Sequence, residues 1–519
     1  MRPLAKDTFP RERFHALDSL RAGMMIFGVV LHAGLIYGNM PPNGVWVIKD
    51  RDSIAVCDWV QSFSGSFRMQ VFFFLSGFFG AMILARRGAI AFLGNRARRL
   101  VPAFLIAWPV GFTAVRAAFV YSLFPEDEPW LRVWNSAASG RLWNHPYPIH
   151  IWFLEYLLIY CFVAAFVTPF LAQLPRVLRK VGAHAYRSVI AHPAGVVVLA
   201  FCTAPCLLLS LDGTFEIPLS FEPAWSSLAA YGVFFAVGWF LYANRDLLAG
   251  LAGQGSWYLL LVAAFVSGDW LLCHELVRPF ETSPTARVGA RADAGARGEA
   301  EARVAAVGLG VRPRAAEEVE SRTGRGRGGR AEAVLISSRR AAQRDGVSVM
   351  PEASEGRGDS RGRVVGEPAC DEGAWGWLEG VFSPWVSGMT RERAARTVRS
   401  ALFSWLMVLG LTGVAVRYLD RSMPIIRYLT DASYWIYLAH FPVVAWVGIG
   451  LAGWELPAIV KLGVNVALTL FALLAVYELL VRRSRLGRLF FGKVATPPPF
   501  RGRKEAARRI IDGSCERAV

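Results

Sequence analysis

RFHALDSLRAGMMIFGVVLHAGLIYG, Arg13 to Gly38, is a membrane-length apolar run with an arginine near one end and a histidine well inside it. Arg21 and His32 stand eleven residues apart. At ~100° per residue both side chains fall within about 20° of one helical stripe, separated along the axis by roughly 16 Å. Polar groups are expensive in hydrocarbon, so this stripe is expected to face a protein interior or a water-accessible cavity.

The rest of the chain extends that pattern. Of 519 residues, 54% are hydrophobic, with 34 Phe and 18 Trp, and the mean hydropathy is +0.35. Such a composition predicts an all-α polytopic membrane protein. The first apolar run is long and lacks a small-residue cleavage site, so it reads as a retained helix and not a signal peptide. The net charge of +17 would suggest nucleic acid for a soluble chain. Here much of the excess flanks apolar spans, where the positive-inside rule and anionic lipid headgroups explain it, so no nucleic-acid partner is expected. The seven cysteines show no paired metal-ligand spacing, and no metal site is expected.

Ten spans are predicted, at 18–38, 66–85, 101–121, 150–171, 193–211, 226–243, 256–276, 399–417, 431–449 and 458–480. Short basic clusters, such as Arg86 to Arg99 and Arg176 to Lys180, alternate with these spans so that both termini are expected to be cytoplasmic. The domain reading is a first membrane part at 14–280, a segment at 281–398, a second membrane part at 399–490 and a basic cytoplasmic tail at 491–519. Residues 281–370 hold sixteen Arg and thirteen acidic residues, with no Lys, His, Phe, Tyr or Trp. This composition buries too little apolar surface to fold alone. It reads either as a disordered insert or as a reading-frame error in a GC-rich gene.

Polar residues inside the spans are the candidates for chemistry. His32 suits a general base, because an imidazole can take a proton from an alcohol and return it; a helix-helix hydrogen bond is the structural alternative. Arg21 has no deprotonated form to use, so it holds an anion, pairs with Asp18 or reaches headgroups. Arg68 lies near the outer end of its span and suits an anionic donor or acceptor group or a plain interfacial position, whereas Ser76, in FFFLSGFF, suits close packing. Glu155, among Trp152, Phe153 and Tyr156, must be paired, protonated or open to a cavity; it orients His32, binds sugar hydroxyls or forms a structural ion pair. His150, Tyr434 and His440 are expected as further polar wall, His440 with Tyr437 at i−3. Neither a zincin motif nor a phosphate-binding glycine loop occurs, which argues against an ATP-driven pump.

Five separated motifs together resemble the integral-membrane acyltransferase 3 family, most like its glucan biosynthesis protein C subgroup. They are DSLRA with ten residues between Arg21 and His32, FFFLSGFF at 72–79, HIWFLEYLLIY at 150–160, SYWIYLAHFPVV at 433–444 and YELLVRRSRLGRLF at 477–490. The resemblance implies a ten-helix enzyme of the bacterial inner membrane. It would move an acyl group from cytoplasmic acyl-CoA, a donor substrate and not a bound cofactor, to a hydroxyl of an extracytoplasmic carbohydrate or glycan. His32 inherits the catalytic role, as general base or acyl relay, with Glu155 positioning the participants, and Arg21 the donor-binding or structural one. The subgroup is associated with succinylation of periplasmic glucans. Membrane lipids are the other expected partners, and the oligomeric state is left open. The segment 281–398 departs from the family, whose corresponding helices are joined by a short loop. A secondary transporter or flippase, using the same His, Glu and Arg as a polar path, is the competing reading.

Overall fold

The computed structural model describes residues 14–40, 46–125, 128–210, 213–273, 391–421, 423–482, 484 and 487. Within them the chain is helical and contains no strand. The helices are α1 (His15–Tyr37), α2 (Ala55–Gly65), α3 (Arg68–Arg87), α4 (Ala89–Leu123), α5 (Pro129–Ala138), α6 (Trp152–Gln173), α7 (Arg176–Ala191), α8 (Gly195–Leu208), α9 (Trp225–Ala243), α10 (Leu247–Cys273), α11 (Arg391–Tyr418), α12 (Pro424–Leu451) and α13 (Ala458–Val476). Nine described helical segments are long and apolar enough to cross a membrane, or ten if α7 and α8, bent by 111°, make one span. The protein is therefore a multi-pass helical membrane protein. The arginine- and glycine-rich stretch up to residue 390 and the tail beyond residue 487 lie outside the described residues. From Arg391 the chain is already helical.

All ten predicted spans have a helix at their place, and three further helices occupy stretches that read as loops. α2 carries Asp58, Gln61 and two serines, which dilute its apolar pattern; it runs into α3 through Ser66 and Phe67, so that 55–87 forms one span. α5 starts at Pro129, a favourable first helical residue. α7 is basic on one side and exposes Val177, Leu178 and Val181 on another. Tyr186 ties α7 to α9 by donating to the Val237 carbonyl at 2.8 Å, and Arg187 pairs with Asp246 at 2.6 Å. α4 begins twelve residues ahead of expectation and carries Pro102 and Pro109 in its interior.

Helices in lipid gain little from burying apolar area against one another, so close packing of small residues has to hold them. α3 meets α9 at two glycines. Gly77 lies on the backbone of Phe235 and Trp239, and Gly238 lies on the carbonyl of Phe74. α10 meets α11 in the same manner, with Gly255 on the backbone of Gly413 and Val414, and Gly413 on the Leu251 carbonyl. α8 is fixed to α11 by Trp405, whose indole N–H donates to Thr203 Oγ1 at 2.9 Å. The described residues before and after the 274–390 stretch thus belong to one compact unit.

The far end of α1 shows how a helix terminus is satisfied. Its last carbonyls lack intrahelical donors, and residues 49–54 supply them. Lys49 Nζ donates to Leu35 at 2.8 Å and to Gly38 at 3.2 Å, Asp50 N to Ile36 at 3.0 Å, and Ile54 N to Tyr37 at 2.8 Å. Burial pushes the Lys49 ammonium down from its ordinary value, against the pull of Asp58. Asp50 in turn pairs with Lys461 of α13 at 2.9 Å, both side chains being buried. Lys461 was visible as a charge in an apolar run, but nothing in the sequence linked it to Asp50.

Gly77→Val would place a Cβ on the Phe235 carbonyl and force α3 from α9. We expect a loss of about 1–3 kcal/mol or more, the range for overpacking, read as a lowered Tm in detergent. Lys461→Met would leave Asp50 buried and unpaired, at a cost of about 3–5 kcal/mol. The double variant Asp50→Asn with Lys461→Met should recover most of that loss in the same assay.

Candidate functional site

α1 is continuous from His15 to Tyr37, so Arg21 and His32 keep the shared stripe that their spacing predicts. Two further histidines come to His32 from distant parts of the sequence. The ring centroids of His32 and His440 are 5.1 Å apart, those of His32 and His150 6.4 Å, and those of His150 and His440 4.9 Å. Phe441 closes the group at 4.8 Å from His32 and 4.9 Å from His150. Trp46, from the segment beyond α1, covers Phe441 at 5.1 Å.

The local cause is Pro442 in α12. A proline has no N–H, so the carbonyl of Leu438 loses its helical donor and the ladder opens there. Inside a membrane protein such groups need other partners. His150 Nε2–H donates to the Tyr437 carbonyl at 2.9 Å, and the Leu438 carbonyl is also within its reach. His440 Nδ1–H donates to the carbonyls of Ile436 and Tyr437, both at 2.9 Å. Tyr437 returns a bond, its hydroxyl donating to the His150 carbonyl at 2.9 Å. These bonds assign the tautomers. In neutral rings they leave lone pairs on His150 Nδ1 and His440 Nε2, and both atoms, like His32 Nδ1, are buried without a hydrogen-bond partner. The result is a pair of buried acceptor nitrogens beside the His32 ring, suited to a hydroxyl or a water.

Arg68 supplies the charge nearest this cluster. Its guanidinium lies on Gly28 of α1, where a Cβ would stand 2.6 Å from Nη1. Gly28 is one turn from His32 and two turns from Arg21, so Arg21, Gly28 and His32 follow one stripe. Arg21 pairs with Asp18 at 3.4 Å and lies 5.5 Å from the Phe79 ring. Arg99 of α4 feels the charges of Arg96, Arg87 and Arg21, which gathers four arginines at the end of the bundle where α1 begins.

The remaining sequence candidates fall elsewhere. Glu155 follows Phe153 by two residues, about 200° around α6, and it is Phe153 that faces Tyr437 at 6.0 Å. The Glu155 carboxyl is thus turned from the histidines, and its Oε2 is buried without a partner. Trp152 stacks within an aromatic core against Tyr231 at 5.5 Å. The Tyr156 hydroxyl accepts from Ala224 N at 2.9 Å. The Tyr434 hydroxyl donates to the Arg99 carbonyl at 3.1 Å, among the arginines and not the histidines. Ser76 is half-buried beside Gly77 and enters no hydrogen bond. Gly28, Phe441 and Pro442 were not singled out from sequence. The signal for Pro442 was present, a proline two residues after an intramembrane histidine. No group of three metal-ligating side chains arranged to hold an ion occurs among the described residues.

Comparison with known proteins adds chemistry to this geometry. A family model described as an acyltransferase domain matches residues 14–282. The chain is 38% identical over 77 residues to glucans biosynthesis protein C of Escherichia coli K12, covering 15% of this chain and 19% of that protein. To the protein of the same name from Escherichia coli O6:K15:H31 it is 28% identical over 155 residues, covering 29% and 37%. The chain thus spans less than two fifths of the length of these curated relatives. No solved structure matches it.

Replacing His440 by Phe keeps the ring but removes the Nδ1–H bonds to α12. We expect the Ile436 and Tyr437 carbonyls to lose about 1–3 kcal/mol of hydrogen bonding, seen as a lower Tm. Replacement by Asn, which keeps a donor, should recover part of it.

Proposed function

We propose a reaction from the premise that this chain belongs to the acyltransferase family: the transfer of an acyl group from acyl-CoA to a hydroxyl of a carbohydrate or glycan, with His32 as general base. The observation that carries this reading is the cluster of buried, unpartnered imidazole nitrogens around His32, at the end of a stripe that starts among arginines. The end of the bundle where α1 begins would face the cytoplasm, and the far end of α1 the outside of a bacterial inner membrane. The basic chain beside the start of α1 and the four gathered arginines support this orientation under the positive-inside rule.

In this orientation Arg21 and its neighbours meet the phosphates of the donor, since guanidinium forks suit phosphate oxygens. The acyl thioester follows the stripe past Gly28 to His32. An acceptor hydroxyl enters the cluster from the other side and finds lone pairs to donate to. His32 removes its proton as the oxygen attacks the thioester carbonyl. Proton transfer by a placed imidazole contributes typically 10²–10⁴-fold, and holding both reactants in line contributes more. The carbohydrate acceptor is supported by the glucan-related relatives and by the acceptor-rich cluster. The transporter reading has no separate observation in its favour.

His32→Ala should abolish ester formation and acceptor-dependent CoA release by purified protein, while insertion and thermal stability stay near those of the unaltered chain. Retained transfer at the original rate would overturn the assignment. Mass spectrometry of the acceptor is the measurement.

A further inference from the structure

Arg68 has a charge that nothing resident answers. Its Nε is buried with no hydrogen-bond partner, and the side chains that bear most on it electrostatically are the phenols of Tyr437 and Tyr231. No carboxylate pairs with it among the described residues. The Tyr437 hydroxyl is spent on the His150 carbonyl. Arg68 is half-buried with its Nε enclosed, and a guanidinium so placed within a membrane is costly when unpaired. Snorkelling does not relieve it, because the side chain turns inward onto Gly28 of α1. Its field reaches His32, His150 and His440 alike.

A cation of this kind is suited to negative charge that appears only during turnover. We propose that Arg68 is a catalytic residue that stabilises the oxyanion of the tetrahedral intermediate. The inference rests on the acyl transfer read above. The acceptor oxygen forms a bond to the thioester carbon as its proton moves to His32. The carbonyl π pair moves onto oxygen and is held by the Arg68 guanidinium. On collapse that pair re-forms the carbonyl, the carbon–sulfur bond breaks with its electrons on sulfur, and the thiolate takes the proton from His32. The products are the ester and free CoA, and no other reactant is needed. Gly28 belongs to the same device. It lies between Arg21 and His32, and its missing Cβ leaves the space in which Nη1 lies. The donor arriving along α1 therefore passes the guanidinium one turn before it meets His32.

The test uses the full chain in proteoliposomes with acetyl-CoA and, separately, succinyl-CoA as donors and a glucan oligosaccharide as acceptor. Arg68→Gln should lower kcat by about 10²–10³-fold, the cost of losing an oxyanion donor, for both donors alike, with each KM changed by less than about threefold. Arg68→Lys should recover part of kcat. Gly28→Ala keeps every polar group but displaces the guanidinium, and should lower kcat by up to about 10²-fold; it carries the test if Arg68→Gln does not fold. An unchanged kcat, or a loss seen only as a raised KM, overturns the proposal. So does a loss confined to succinyl-CoA, which would make Arg68 a reader of the acyl carboxylate. Absence of transfer in the unaltered chain would sink the acyl-CoA reading itself. An inactive His32→Ala beside a fully active Arg68→Gln would sink the oxyanion role alone.

Discussion

Hydrocarbon offers no hydrogen bonds, and every backbone group or charge placed in it must be answered from within the chain. That constraint builds the far end of α1, whose terminal carbonyls are taken by Lys49, Asp50 and Ile54. It also builds the histidine cluster. Pro442 leaves the Leu438 carbonyl of α12 without its helical donor, and beside that opening His150 and His440 donate to the Tyr437 carbonyl at the place where His32 arrives. The two imidazoles thus serve structure with one nitrogen and leave the other for chemistry. A purely structural histidine and a functional one are here the same residue seen from its two nitrogens.

Charge is distributed along α1 with an equal economy. Arginines gather where the helix begins, a single guanidinium crosses it at Gly28, and imidazoles wait a turn farther on. Attraction for an anionic donor therefore falls in steps along one helix face. Trp46 and Phe441 close the line at its far end. The reacting atoms would meet in a place lined by rings and screened from bulk water, where fixed dipoles act more strongly than in solution.

The sequence revealed the spans and the Arg21–His32 stripe because both depend on short-range periodicity. Resemblance supplied the reaction class, and the family match agrees with it. α2, α5 and α7 were not legible: they are short and carry polar residues or a proline. Glu155 looked catalytic because a carboxyl in an apolar run demands a partner; which way it turns depends on α6 packing Phe153 toward Tyr437. Arg68 looked interfacial because it opens α3, and only the glycine on α1 shows where its side chain goes. The convergence of residues 32, 150 and 440 is a tertiary fact, with no local signal beyond three histidines in apolar surroundings.

α10 and α11 interlock through Gly255 and Gly413 although 117 residues, 274 to 390, separate them in the chain. Closing a fully flexible connection of that length costs only about 3 kcal/mol more than closing one of roughly six residues. The glycine seam, and not the covalent link, holds the second part of the bundle to the first. His440 and Tyr437 come from one side of that seam and His32, Arg68 and His150 from the other. The polypeptide is in this sense two fragments that share one histidine cluster, and its continuity between them is a matter of genetics more than of architecture.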